Sequence, residues 1–207
     1  MEIISHRGCW NENIQKNTIP SFKNTIEHGF GTETDVRDYN EKLVISHDIS
    51  NDKNIIIDEL FKLFHSKSLL LALNIKSDGL QELLKYKIEE FKISKYFVFD
   101  MSIPDTIKYL KLGFKVYGRQ SEHELRTPFY NEISGIWLDC FNTIWYDKNL
   151  ITSHLQNNKN VCIVSSELHG RSYLDHWNLL KSWDIHKMKN ISLCTDFPKK
   201  ANSFFKI

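Results

Sequence analysis

Eight short apolar runs punctuate the chain at intervals wide enough to hold a helix, and that spacing limits the folds open to it. The runs cover residues 3–5, 31–36, 69–75, 96–100, 114–117, 135–138, 161–165 and 191–194. Parallel strands need a long crossover between them, usually a helix, so this rhythm reads as repeated βα units. A ninth run, 43–46, follows the second after only residues 38–42. That link is too short for a crossover, so the ninth run is expected to fold back antiparallel as a hairpin arm.

The helices are legible between the runs. The first should start at Thr18 or Asn17 as N-cap, carry Pro20 early, present Ile19, Phe22 and Ile26 on one face and stop at Gly29. Others are expected near residues 80–91, 103–112, 148–156 and 173–183. Eight parallel runs with intervening helices favour an α/β fold of the (β/α)8 TIM barrel type over an open doubly wound sheet. Neither a G-x-G-x-x-G fingerprint nor a P-loop supports the open sheet. A length of 207 residues suits one domain, 1–207.

Composition narrows the function. Lys plus Arg number 27 against 26 Asp plus Glu, a net charge of +1, which argues against a nucleic-acid binder built on a broad basic surface. No apolar run approaches the roughly 20 residues of a transmembrane helix, and the start, MEIISHRG, turns polar too early for a secretory signal. The four cysteines lack metal-finger spacing. A cytoplasmic protein without disulfides is the expectation.

In a barrel of this type the active site forms at the C-terminal ends of the strands. His6 follows the first run, Glu33 and Asp35 lie on the second, His47 ends the hairpin arm, and Asn74 and Lys76 end the third. Residues distant in sequence should therefore meet at one mouth. Glu33 and Asp35, two apart, project from the same strand face, as sharing one cation requires. Cleaving a phosphodiester needs positive charge near its non-bridging oxygens, a base for the nucleophile and an acid for the leaving alkoxide. Imidazole titrates near neutrality and can serve as either.

Six segments carry a resemblance to a known family: SHRG at 5–8, NTIPSF at 17–22, ETDV at 33–36, LVISHD at 43–48, LNIK at 73–76 and CTDFP at 194–198. In this order they resemble the glycerophosphodiester phosphodiesterases, a branch of the phospholipase-C-like phosphodiesterase barrels. The resemblance implies metal-dependent cleavage of a small-molecule phosphodiester, with His6 and His47 as general acid and base. Glu33, Asp35 and the residue at Asn74 would hold a divalent cation, Mg²⁺ or Ca²⁺, and Arg7 and Lys76 would face the phosphate. The nucleophile would be water or a neighbouring hydroxyl of the substrate.

The chain departs from the family pattern in several places. Asn74 stands where a third metal carboxylate is expected; an amide oxygen can coordinate but adds no charge. Asn74 follows Asp48 by only 26 positions, so the usual insertion that encloses the alcohol is reduced. A polar segment, SSELHGR at 165–171, follows the seventh run. There Glu167 is a candidate replacement ligand, and His169 and Arg171 are candidates for a phosphate or sugar. Arg119, after the fifth run, is a further candidate for an anionic head group. Lys16 occupies a place where the family often has Glu, and Trp10 lies in the first βα loop. Two other readings stay open: a phosphate-binding barrel impaired by Asn74, and a phosphodiesterase of the sphingomyelinase D or metal-independent phospholipase C kind.

Overall fold

Pairing between the strands closes the alternating pattern into a ring in the computed structural model, which describes residues 1–207. In chain order the first half runs β1 (Glu2–His6), α1 (Ile19–Glu27), β2 (Gly31–Tyr39), β3 (Lys42–Ile45), β4 (Ile55–Ile56), α2 (Ile57–Phe64), β5 (Leu71–Ile75) and α3 (Gln81–Glu90). The second half runs β6 (Tyr96–Phe99), α4 (Ile103–Lys111), β7 (Tyr117–Gln120), β8 (Gly135–Leu138), α5 (Lys148–Gln156), β9 (Asn160–Val164), α6 (Tyr173–Ser182), β10 (Ile191–Thr195) and α7 (Pro198–Phe205). β1 pairs in parallel with β2, β2 with β5 and β5 with β6. In the other direction β1 pairs in parallel with β10, and the series continues through β9 and β8 to β7. A parallel bridge between Val98 and Val116 joins the two ends, and the Val98 N–H donates to the Lys115 carbonyl at 2.9 Å. The chain thus forms the expected parallel barrel, with β3 antiparallel to β2 as the expected hairpin arm.

Strand periodicity sorts the side chains into two cores. Residues such as Ile4, Ala72, Phe97, Phe99, Trp137, Cys162 and Cys194 pack inside the ring as a buried cluster of their own, while a larger cluster fills the space beneath the helices. Inside, the rings of Phe97 and Tyr117 stack at 3.7 Å and those of Phe99 and Trp137 at 4.0 Å. Gly135 makes room for this packing: a Cβ there would lie 2.6 Å from the Tyr117 ring. All four cysteines are buried free thiols. No helix is long and apolar enough to cross a membrane.

The first helix begins as expected at Thr18, whose hydroxyl and that of Ser21 form a reciprocal capping box. Three expectations need correction. The fifth strand is Tyr117–Gln120 rather than 114–117, because its polar residues are satisfied internally. Gln120 donates through Nε2 to the Leu125 carbonyl and accepts at Oε1 from His154 Nε2, while Arg119 sits among carboxylates. Helix α2 was not expected, although Ile57, Leu60, Phe61 and Phe64 form a buried helical stripe. Helix α7 was likewise missed; Pro198 opens it, and Ala201 and Phe205 are buried. The reduced segment after Asp48 therefore holds only β4 and the crossover helix α2.

The inner aromatic stack should dominate local stability. Phe97→Ala removes a side chain that is 1% exposed, and unfolding in denaturant should show a loss of about 3–5 kcal/mol. A loss below about 1 kcal/mol would mean the barrel interior is loosely packed.

Candidate active site

Inward-pointing positions on neighbouring strands put the polar residues at the C-terminal end of the barrel on one level. The register pairs His6 with Glu33 and Asp35 with Asn74, so three strands deliver four side chains to one patch. Lys76 follows β5, its N–H bonded to the Val36 carbonyl at 2.9 Å. Arg7 leaves β1 in a left-handed conformation, φ 59°, which turns the chain toward β2. Gly8 follows at φ 85°, and a Cβ there would lie 2.3 Å from the Ser21 hydroxyl, so the tight turn of SHRG requires glycine.

Asp35 is fully buried and collects the cations. Arg7 Nε lies 2.9 Å from Oδ2 and Lys76 Nζ 3.4 Å from Oδ1. The Asn17 amide donates to Oδ2 at 2.9 Å, and Asn17 accepts from Thr34 at the same distance. Glu33 lacks such partners. Burial first, and then the neighbouring Asp35, push its carboxyl up to about 8, against the lowering influence of Arg7, Lys76 and the Asn74 amide. Two carboxylates out of water on one strand face cannot both ionise cheaply, since each costs several kcal/mol to desolvate. The cations sit on Asp35, and the buried environment favours the protonated form of Glu33.

His6 is oriented from behind. Its Nδ1 lies 2.7 Å from Asp196 Oδ1, and Asp196 also accepts from Trp10 Nε1 at 3.3 Å and Lys16 Nζ at 3.1 Å. Burial lowers the His6 pKa, with the Asp196 hydrogen bond opposing. Burial works to raise the Asp196 pKa, but the hydrogen bond to His6 and the Lys16 ammonium outweigh it and hold Asp196 below the usual carboxylate range. An ionised Asp196 accepts, so Nδ1 carries the proton and Nε2 presents its lone pair toward Glu33, whose Oε2 is 3.8 Å away.

The other predicted residues are placed differently. His47 lies just past β3 with its side chain 48% exposed, and Nδ1 meets Asp48 Oδ1 at 2.9 Å. The adjoining Ser46 N–H donates to the Asp35 carbonyl at 3.1 Å, which ties this end of the arm to β2. Glu167 is engaged as a strut: it accepts from the Ser165 and Thr195 hydroxyls, and from the Asp196 N–H at 3.1 Å. Arg119 forms a second polar group. It binds Asp100 through Nε at 2.9 Å and Nη2 at 2.6 Å, and reaches Asp139 as well. His169 Nε2 lies 2.6 Å from Asp139 Oδ1, while Arg171 donates to the Cys140 carbonyl. With Asp100 and Asp139 both beside it, Arg119 has its charge compensated within the protein.

Sequence reasoning missed Asn17, Asp100 and Asp196. Asn17 and Asp196 lie inside two of the resembling segments, NTIPSF and CTDFP, and that was their only available signal. Lys16, noted as a departure, pairs with Asp196 and lies 4.4 Å from the centre of the Trp10 ring.

For a cation, the decisive feature is oxygen without partners. Glu33 Oε2, Asp35 Oδ1 and Asn74 Oδ1 are buried and make no hydrogen bond, and of the three only Asp35 Oδ1 has a cation near it, Lys76 Nζ at 3.4 Å. No three His, Cys, Asp or Glu side chains group as a metal site; the predicted set reaches three only by including an amide. Orphaned buried oxygens are rare in folded proteins, and three at one patch with two carboxylates fit a hard divalent ion.

The Glu33 proton has a consequence for stability. A carboxyl with a native pKa of about 8 binds more protons folded than unfolded, where the ordinary value is 4.5. Its contribution is fully present below about 4.5 and is lost as pH rises toward 8. In chelator, unfolding free energies at pH 5 and 8.5 should show wild type losing more stability than Glu33→Gln. An equal loss would show that Glu33 is not its source.

Comparison with known proteins gives a consistent result at the level of the fold. No protein-family model matches the sequence, and no curated protein matches it significantly. Solved structures do match. A candidate glycerophosphodiester phosphodiesterase from Galdieria sulphuraria superposes with a TM-score of 0.77 at 17% identity, over 100% of this chain and 98% of the other. The glycerophosphodiester phosphodiesterase from Agrobacterium tumefaciens gives 0.75 at 12% identity, over 100% and 99%. A glycerophosphoryl diester phosphodiesterase from Parabacteroides distasonis gives 0.73 at 14%, over 99% and 86%. Over its whole length, the chain has the fold of the glycerophosphodiester phosphodiesterases.

Proposed function

We propose that the protein is a phosphoric diester hydrolase of the glycerophosphodiester phosphodiesterase family, acting on a small glycerophosphodiester or a related head-group diester. The observation that carries this reading is the His6–Asp196 pair facing the Glu33–Asp35–Asn74 patch, with Arg7 and Lys76 alongside. The fold shared with the solved structures supports it.

The chemistry follows from the residues. Neutral His6, its tautomer fixed by Asp196, takes a proton at Nε2 from the nucleophile, water or a neighbouring substrate hydroxyl, and the ionised Asp196 stabilises the imidazolium that forms. Arg7 and Lys76 present positive charge to the phosphate oxygens. His47, on the hairpin arm, is the second acid–base group and protonates the departing alkoxide at its oxygen. Glu33, Asp35 and Asn74 would hold a divalent cation, which when bound draws negative charge from the phosphoryl oxygens. Cation binding would displace the Glu33 proton, so affinity should rise with pH.

A second reading is favoured by one observation: Arg7 and Lys76 already neutralise Asp35, as in a phosphodiesterase that relies on cationic side chains instead of metal. Hydrolysis of a glycerophosphodiester panel with and without chelator separates the two. The metal-dependent reading expects turnover to vanish in chelator and return with Mg²⁺ or Ca²⁺; unchanged turnover supports the second. On either reading His6→Ala should lower kcat/KM by at least about 100-fold. Asn74→Asp, which restores a third carboxylate, should tighten divalent binding by calorimetry, and unaltered affinity would remove Asn74 from the ligand set.

A further inference from the structure

A cavity of about 570 Å³ opens at the end of the barrel opposite His6 and Glu33. Its walls are residues that precede or open strands: Lys95 lies just before β6, Lys115 ahead of β7, Ser134 before β8, and Asn160 opens β9. Because the eight barrel strands are parallel, these positions all belong to the N-terminal face. The cavity shares no residue with the candidate active site.

Its charge is one-sided. Lys95, Lys115, Lys187 and Lys189 line it, against a single carboxylate, Glu2. Glu2 is taken by Lys95 at 2.8 Å, and Lys187 is paired with Asp184 at 2.7 Å. Lys115 has the Ser94 carbonyl at 3.4 Å and the Tyr96 ring 5.9 Å away, and neither it nor Lys189 makes an ion pair. In a chain of net charge +1 this surplus is local, and a concave wall concentrates its field.

The floor is polar and fixed. Tyr117 and Ser192 line the cavity although they are only 7% and 6% exposed. The Tyr117 ring is stacked on Phe97, which holds it in place before any ligand arrives. A volume of this size lies within the roughly 300–1,000 Å³ of small-molecule sites. The surface is concave, whereas a bilayer or a nucleic-acid duplex would need a broad, flat or grooved basic face.

We propose that the N-terminal end of the barrel binds a small phosphorylated molecule, with phosphate groups on Lys115 and Lys189 and the remaining body against Tyr117 and Ser192. The site is independent of the catalytic reading and stands whether or not the protein turns over a phosphodiester.

Inorganic pyrophosphate is a suitable probe, used with the full chain in metal-free buffer at low salt. Calorimetry should show saturable binding to wild type, weakened at least about 10-fold by the K115E/K189E double variant. Both side chains are exposed, so the thermal unfolding midpoint should not move. In amide NMR spectra of wild type, pyrophosphate should shift Lys115, Tyr117, Lys189 and Ser192. No binding at millimolar pyrophosphate would overturn the proposal. So would full affinity in the double variant, or shifts confined to His6, Arg7 and Lys76.

Discussion

Two carboxylates buried side by side on the inner face of β2 set the terms for the mouth of this barrel. Glu33 and Asp35 cannot both be charged in a dry site without compensation, and the surrounding structure supplies it unequally. Arg7, Lys76 and Asn17 all serve Asp35, and each needs a specific backbone arrangement to do so. Arg7 and Asn17 are held in left-handed conformations, φ 59° and 55°, and Lys76 is positioned by the strand pairing of β5 with β2. Left-handed backbone at two of these three residues, Arg7 and Asn17, is a local conformational cost of the kind that functional sites carry. Glu33 is left without a cation of its own, 3.8 Å from His6 Nε2, and burial raises its pKa.

The opposite half of the mouth works by closure within the protein. Arg119, Asp100, Asp139 and His169 satisfy one another across β6 to β9, and Glu167 braces the backbone of Asp196. Glu167 therefore reaches His6 indirectly, by fixing the residue that orients its ring. This division gives the mouth a reactive side with orphaned oxygens and a supporting side with few. Between Asp48 and β5 the trimmed segment holds only β4 and α2 as regular elements.

Much of the fold was legible in the sequence because period-two and period-3.6 patterns are local. The hairpin arm followed from a link too short for a helix, and the first helix from Thr18 and Pro20. Reading failed where polar residues are buried through long-range partners. Gln120 and Arg119 look like loop residues until His154 and Asp139 are placed beside them. Helix α2 was missed for another reason: its apolar stripe is short and lies in a segment considered only for its length.

By itself the sequence determined the barrel rhythm and the identity of His6, Arg7, Glu33, Asp35, Asn74 and Lys76 as one group, because residues at successive strand ends must converge in a parallel barrel. Tertiary structure alone decided how charge and protons are shared among them. Asp196 lies 190 residues from His6, and no local pattern could reveal that it orients the imidazole. The same holds for the basic cavity at the far end, whose lysines are scattered along the chain and meet only because parallel strands bring their starts together.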